Sequence, residues 1–203
     1  MLARDVMCAP AVTVAPDTPV RKAAATLADR GFTALPVVDD EDRLLGIVTE
    51  ADVVRDRFPR DIRTARLGDV PGAAAGSTVG QVMTAPVVTV GSVLDVVDVV
   101  RAMLDEGVRS VPVVEGDRVV GIVSRRDLVR VLARDDRRLA RDVHNRLAMI
   151  STPDRWSIDV TDGVVTLVDS RDDATDRHVA TVLAENVPGV LRVRHVPNRT
   201  ESA

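Results

Sequence analysis

Two runs of the chain decide its fold: Gly46-Ile47-Val48-Thr49-Glu50-Ala51-Asp52 and Gly121-Ile122-Val123-Ser124-Arg125-Arg126-Asp127. Each begins with a short apolar, largely β-branched stretch, as a buried strand requires. Each then places a hydroxyl residue three positions before an Asp. That spacing marks the place where a strand hands over to a helix. The hydroxyl residue caps the helix start, and the acid three places on reaches back to the free amides there.

Working outward, the likeness between the two runs continues. Val6-Met7-Cys8-Ala9-Pro10-Ala11-Val12-Thr13-Val14 returns 76 residues later as Val82-Met83-Thr84-Ala85-Pro86-Val87-Val88-Thr89-Val90. The same offset carries Val20 to Val96, Leu27 to Met103, Gly31 to Gly107, and Pro36-Val37-Val38 to Pro112-Val113-Val114. One deletion in a turn then makes the offset 75 through Asp52 and Asp127. So many ordered matches with a single gap identify two structural copies.

Each copy reads as strand, helix, strand, strand, helix. Val12 to Val14 is extended and ends before Pro16. Residues 19 to 30 place Val20, Ala23, Ala24 and Leu27 on one helical face, and Gly31 ends the helix. The matching segment, 93 to 106, is rich in valine, which by propensity favours a strand. Its apolar residues nevertheless fall at 93, 96, 97, 100, 103 and 104, a helical spacing, and the periodicity predicts a helix. Leu35 to Val38 and Leu44 to Val48 pair around Asp39-Asp40-Glu41-Asp42. Val111 to Val114 and Val119 to Val123 pair around the tighter Glu115-Gly116-Asp117. The run Pro71-Gly72-Ala73-Ala74-Ala75-Gly76 marks a connector.

These residues resemble the CBS motif, and the tandem pair resembles a Bateman module over about residues 2 to 134. The hallmarks are the Pro-Val-Val strand after the first helix and the run Gly-Ile-Val-Thr/Ser-x-x-Asp, both present twice. The resemblance implies two sheets packed about a pseudo-twofold axis, with clefts that take AMP, ADP, ATP or S-adenosylmethionine as regulatory ligand. It implies no required cofactor. An ionised Asp accepts two hydrogen bonds and suits the adjacent hydroxyls of a ribose. A helix start beside a hydroxyl suits a phosphate. By resemblance Thr49 and Asp52 serve one cleft, and Ser124 and Asp127 the other. Val12, Val14, Leu35 and Pro36, with their counterparts Val88, Val90, Val111 and Pro112, would sandwich adenine. Two readings of the aspartates stand side by side: ribose ligands, or acids that cap a helix. Arg109 falls where the family often places a base reaching phosphate, and its counterpart is Thr33, so the clefts are expected to be unequal. Arg125 and Arg126 would add positive charge there, or lie solvated at the surface.

Beyond the second copy, Leu139, Val143 and Leu147 share a helical face. Ser157 to Thr161 alternates as a strand and turns at Asp162-Gly163 into Val164 to Val168. Residues 172 to 186 read as a helix with Val179, Val182 and Leu183 inward, and Leu191 to Val196 as a last strand. This α-β-β-α-β order, with Asp162-Gly163-Val164-Val165-Thr166-Leu167 and Val187-Pro188-Gly189-Val190, is similar to the BON domain. The family commonly has a Gly shortly after the Thr-Leu pair, where this chain has Val168-Asp169-Ser170. BON domains are associated with membrane surfaces and partner proteins.

The expected class is α/β (α+β): a CBS motif over 1–59, a linker over 60–78, a second CBS motif over 79–136, a BON-like domain over 137–198 and a tail over 199–203. Composition narrows the function. Aromatics are about 1%, which removes a base-stacking platform, and the net charge is -4, against the basic excess that nucleic acid demands. Residues 1–136 hold 17 basic and 21 acidic residues and those from 137 onward 10 of each, so neither part is a basic patch for anionic lipid. Cys8 is the one cysteine, and His144, His178 and His195 are widely spaced, so no metal cluster is expected. The chain carries no Gly-rich phosphate loop and no nucleophile-base-acid order, which argues against an enzyme. Without an apolar run of about 18 residues or a signal sequence, a cytoplasmic protein is expected. The helices 19 to 30 and 93 to 106 offer a surface for a homodimer.

Overall fold

Each copy lends its first segment to the sheet of the other. Cys8 bridges Ile122 with a reciprocal pair of main-chain bonds of 2.9 and 3.1 Å, and Thr84 bridges Ile47 with bonds of 2.9 and 3.0 Å. Leu2 meets Asp95 as Thr78 meets Pro19, and Arg43 meets its own counterpart, Arg118. Each of these bridges thus recurs with the copies exchanged, which is the signature of a pseudo-twofold axis. The computed structural model describes residues 1–55, 57–58, 76–152, 155–171 and 173–196. Its contacts separate Leu2–Arg125 from a second unit that begins at Arg126.

In the first copy a single turn, α1 (Ala3–Val6), precedes α2 (Val20–Arg30), β1 (Ala34–Val38), β2 (Leu44–Thr49) and α3 (Glu50–Val54). Helix α2 buries Val20, Ala23 and Leu27 and stops at Gly31, whose φ of 62° is left-handed and favours glycine. Antiparallel β1 and β2 pair Pro36 with Ile47. Of the extended segment expected at 12 to 14, Val14 alone is bridged, in parallel with Val37. Most of the expected linker, residues 60 to 75, lies outside the described residues. Ser77 and Thr78 lead into α4 (Val79–Val82), and Gln81 Oε1 accepts from both of their amides.

The second copy continues with β3 (Val90–Gly91), α5 (Val96–Asp105), β4 (Ser110–Glu115), β5 (Arg118–Ser124) and α6 (Arg125–Leu132). Strand β4 lies between β3, in parallel, and β5, antiparallel. The valine-rich segment is helical, as its spacing predicts. Asp95 caps it by accepting from the Val97 amide at 2.8 Å, and Val96, Val99 and Met103 face inward. Helix α6 crosses the division between the units.

The second unit packs two helices, α7 (Asp136–Leu147) and α8 (Ala174–Glu185), with a sheet of β6 (Trp156–Thr161), β7 (Val164–Asp169) and β8 (Arg192–His195). From α7 onward its order is α-β-β-α-β. Leu139, Val143 and Leu147 are buried together with Trp156, Val165 and Leu167. Asp162 and Gly163 both have positive φ, 49° and 72°, as a two-residue hairpin turn requires. The Asp136 carboxylate accepts from both of their amides, at 2.8 and 2.9 Å, and so ties the start of α7 to the hairpin.

One helix face is corrected. Val179 and Val182, expected inward, are 39% and 44% exposed, and α8 instead buries Ala180 and Ala184. Alanines four apart put a flat strip on the helix, so it approaches the sheet closely, and the larger valines sit on the flanks.

Candidate functional site

Strand β1 is buried along its whole length, which positions the strand ends beside it. Leu35 and Val111 are fully buried, so their side chains belong to the core. Pro36 and Pro112 are buried too, and Val90 is 5% exposed. Val12, Val14 and Val88 are half-buried. Val14 is joined to β1 by main-chain bonds of 3.0 Å to the Pro36 carbonyl and from the Val38 amide. Val12 and Val14 pack with Leu35, Val37 and Val48 in one cluster. The structure thus brings the first set of apolar candidates together.

At the end of β2, Thr49 has extended backbone and caps α3. Asp52 Oδ2 accepts from the Thr49 amide at 2.9 Å and from the Thr49 hydroxyl at 2.7 Å, while the Asp52 amide lies 3.4 Å from Thr49 Oγ1. Among the described residues Oδ1 meets Arg55 Nη2 at 3.9 Å. Asp52 is 7% exposed. The capping box expected of the pair is formed. One carboxylate oxygen is committed to it, and the other retains acceptor capacity.

In the second copy Ser124 closes β5 and Asp127 lies in the first turn of α6. Asp127 Oδ1 accepts from Arg130 Nη1 at 3.3 Å. Arg109 and Arg126 are exposed. The Arg109 carbonyl accepts from the Arg125 amide at 3.0 Å, and in the first copy the Thr33 carbonyl accepts from the Glu50 amide at 3.3 Å. The corresponding places therefore hold Arg109 with Arg125 in one copy and Thr33 with Glu50 in the other. Glu50 was not singled out from sequence, although the 75-residue offset alone sets it opposite Arg125. Thr33 Oγ1 and Ser110 Oγ, 2.8 Å apart, join the copies. Nothing local in the sequence marks that pair.

Two polar clusters of the second unit also escaped the sequence reading. Arg155 pairs with Asp169 in a two-pronged bridge of 3.0 and 3.1 Å, and its third nitrogen reaches Asp176 at 2.6 Å. Asp169 also accepts from the amides of Arg171 and Asp173. Arg155, first, and these amides hold the Asp169 carboxyl down to about 2, against burial, which acts to raise it. His195 is the second case. The Thr181 hydroxyl donates to the Arg177 carbonyl at 2.8 Å, so Thr181 Oγ1 must accept from His195 Nε2–H, also at 2.8 Å. The buried Nδ1 of His195 has no partner among the described residues. Burial, then Arg177, lowers its pKa, and Asp169 opposes them. His144 and His178 are exposed, and among the described residues no cluster of His, Cys, Asp and Glu is arranged to hold a metal ion. No described helix is long and apolar enough to cross a membrane.

The family model of the CBS domain matches residues 3–57 and again 79–134. Hypoxic response protein 1 of Mycobacterium tuberculosis is 30% identical over 135 residues, which make up 64% of this chain and 84% of that one. Among solved structures, the CBS domain pair of protein MJ0100, in complex with 5′-methylthioadenosine and S-adenosyl-L-methionine, is 28% identical with a TM-score of 0.54. That match covers 64% of this chain and 94% of the other. CBSX2 of Arabidopsis thaliana in complex with AMP is 27% identical with a TM-score of 0.52, covering 64% and 93%. The matches span 30%, 65% and 57% of three archaeal relatives, from Methanocaldococcus jannaschii, Acidianus ambivalens and Methanopyrus kandleri in that order. With two matches that together take in more than half of its length, the chain belongs to the CBS-domain family and carries two CBS domains in tandem.

Proposed function

We propose that this protein is a non-enzymatic regulator whose CBS pair binds an adenosine-containing ligand. The observation that carries the reading is the twofold occurrence of a strand end bearing a hydroxyl, followed by a helix with an Asp in its first turn. Related CBS pairs hold AMP, or S-adenosylmethionine together with 5′-methylthioadenosine, which supports the ligand class. In this reading Asp127 accepts from the ribose hydroxyls and Ser124, with Arg109, favours a phosphate. Asp52 retains one oxygen for the same role in the first copy.

A second reading takes both Thr49–Asp52 and Ser124–Asp127 as purely structural caps; in the first copy Thr49 and Asp52 satisfy each other. The second unit, similar to a BON domain in its element order, serves in our reading as the output domain that meets a partner protein or a membrane surface. The CBS pair joins a second chain through its helices as a homodimer, and the protein works in the cytoplasm.

A thermal-shift screen of AMP, ADP, ATP and S-adenosylmethionine, with 2′-deoxyadenosine phosphates as controls, tests the proposal. A shift with a ribose compound and a smaller one with its deoxy analogue is the expected result. No shift with any of them at millimolar concentration would leave the pair a structural scaffold.

A further inference from the structure

Asp127 stands on a helix whose far end is fastened to the second unit. By its contacts that unit begins at Arg126, so it holds Asp127 and nearly all of α6. Gly189, in the turn before β8, lies against the main chain at the end of α6. Its φ of 99° is left-handed, and a Cβ built on it would stand 2.9 Å from the Val131 carbonyl oxygen. Val131 is one turn beyond Asp127, and helical pairing joins its amide to the Asp127 carbonyl.

Arg134 secures the same place. Its largely shielded side chain donates from Nη1 to the Pro188 carbonyl at 2.5 Å and from Nη2 to the Asp142 carboxylate. One guanidinium thus ties the end of α6 both to the loop that leads into β8 and to α7, a use that its fixed fork of donors suits. The next residue, Asp135, caps α7 by accepting from the amides of Arg137 and Arg138. Only Ala133 and Arg134 separate α6 from that cap, and the Ala133 amide still donates to the Val129 carbonyl at 2.9 Å. So short and well bonded a link passes the orientation of α7 on to α6.

We propose that Arg134 is a positioning residue for Asp127. By fastening the end of α6 to the 187–190 loop and to α7, it fixes the helix axis and with it the carboxylate in the first turn. The inference rests on the adenosine reading of Asp127 and adds the residue that links that site to the second unit. Linkage is reciprocal, so an adenosine ligand held by Asp127 stabilises the fastened arrangement as much as the fastening favours the ligand. The loop that leads into β8 then registers the ligand through α6.

Titration of the full chain with ATP, and with 2′-deoxy-ATP beside it, tests this. Arg134→Ala should weaken ATP binding roughly fivefold, the lower end of coupling between linked sites. It should also narrow the preference for ATP over the deoxy analogue. In an Asp127→Ala chain the same substitution should leave ATP affinity unchanged, since it acts through that carboxylate. Arg134→Lys, which keeps one donor, should recover part of the loss. Asp142→Ala removes one of the two fastenings and should show the same pattern at smaller size. It decides the matter if Arg134→Ala fails to fold, which the fluorescence of Trp156 reports. Suppose ATP is bound, but the folded variants keep wild-type affinity and deoxy preference, or lose as much without Asp127 as with it. Either result makes Arg134 a structural fastener only and overturns the inference, while the adenosine reading stands. A wild-type chain that binds no adenosine compound overturns both.

Discussion

The thioether of Met83 rests on the face of Gly46: a Cβ built on that glycine would lie 2.5 Å from Sδ and 3.1 Å from the Thr84 carbonyl oxygen. Gly121 meets Met7 and the Cys8 carbonyl at the same distances. These two contacts sit beside the bridges that cross from one copy to the other. A side chain at either glycine would push against main chain as well as against a movable methionine. Gly46→Ala and Gly121→Ala should therefore each destabilise the CBS pair by about 1–3 kcal/mol, the usual cost of overpacking. Urea unfolding measures it. Adding Met83→Ala to Gly46→Ala should recover part of the loss, since the two positions share one contact. Equal and additive losses in the double variant would show that the thioether is not the obstacle.

The two aspartates should part company when replaced. Asp52→Ala breaks both bonds to Thr49 and should lower stability by about 1 kcal/mol, as the loss of a cap does. Asp127→Ala should weaken ATP binding roughly tenfold or more, in line with about 1.5–3 kcal/mol for a hydrogen bond to a charged group. Titration calorimetry and thermal melting of both variants separate the effects. If Asp127→Ala binds ATP as the wild type does and merely melts lower, the ribose assignment fails.

Acid should act on the second unit in two stages. His195 has a lowered pKa in the folded chain, so its stabilising effect is complete above the unfolded value of 6.5 and is lost as pH falls below it. Asp169 is held at about 2 against an ordinary 3.8, so its contribution is present above 3.8 and disappears between the two values. Trp156 is the single tryptophan of the chain and lies 6.2 Å from the His195 ring, so its fluorescence reports on this unit. Denaturant midpoints should fall as pH is lowered from 7 to 5 in the wild type and stay flat in His195→Gln. A wild-type midpoint constant over that range would contradict the lowered pKa of His195.

Arg155 should prove costlier than a surface arginine. Removing it leaves the Asp169 carboxylate buried without its counter-charge, a loss of about 3–5 kcal/mol where a buried pair is broken. Arg155→Ala should therefore unfold the second unit at ordinary temperature or well below the wild-type transition, as Trp156 fluorescence would show. Replacing both Arg155 and Asp169 with apolar residues should cost less than Arg155→Ala alone.

Much of the CBS pair was legible in the chain because its signals are local and occur twice. Gly31 and Gly107 stop helices, the Thr49 and Ser124 runs start them, and a repeat lets one copy read the other, which is how the valine-rich α5 was recognised as a helix. The candidate ribose and phosphate residues were legible for the same reason. Tertiary structure decided what depends on residues far apart. The bridge from Cys8 to Ile122, the Thr33–Ser110 hydroxyl pair and the seating of Met83 on Gly46 follow from packing one copy on the other. The burial of Ala180 in place of Val179, and the pairing of Arg155 with Asp169, were likewise set by the sheet beneath α8. Periodicity states that a helix has an apolar side; which residues fit a given sheet depends on shape across the interface, and a buried charge finds its partner through the fold.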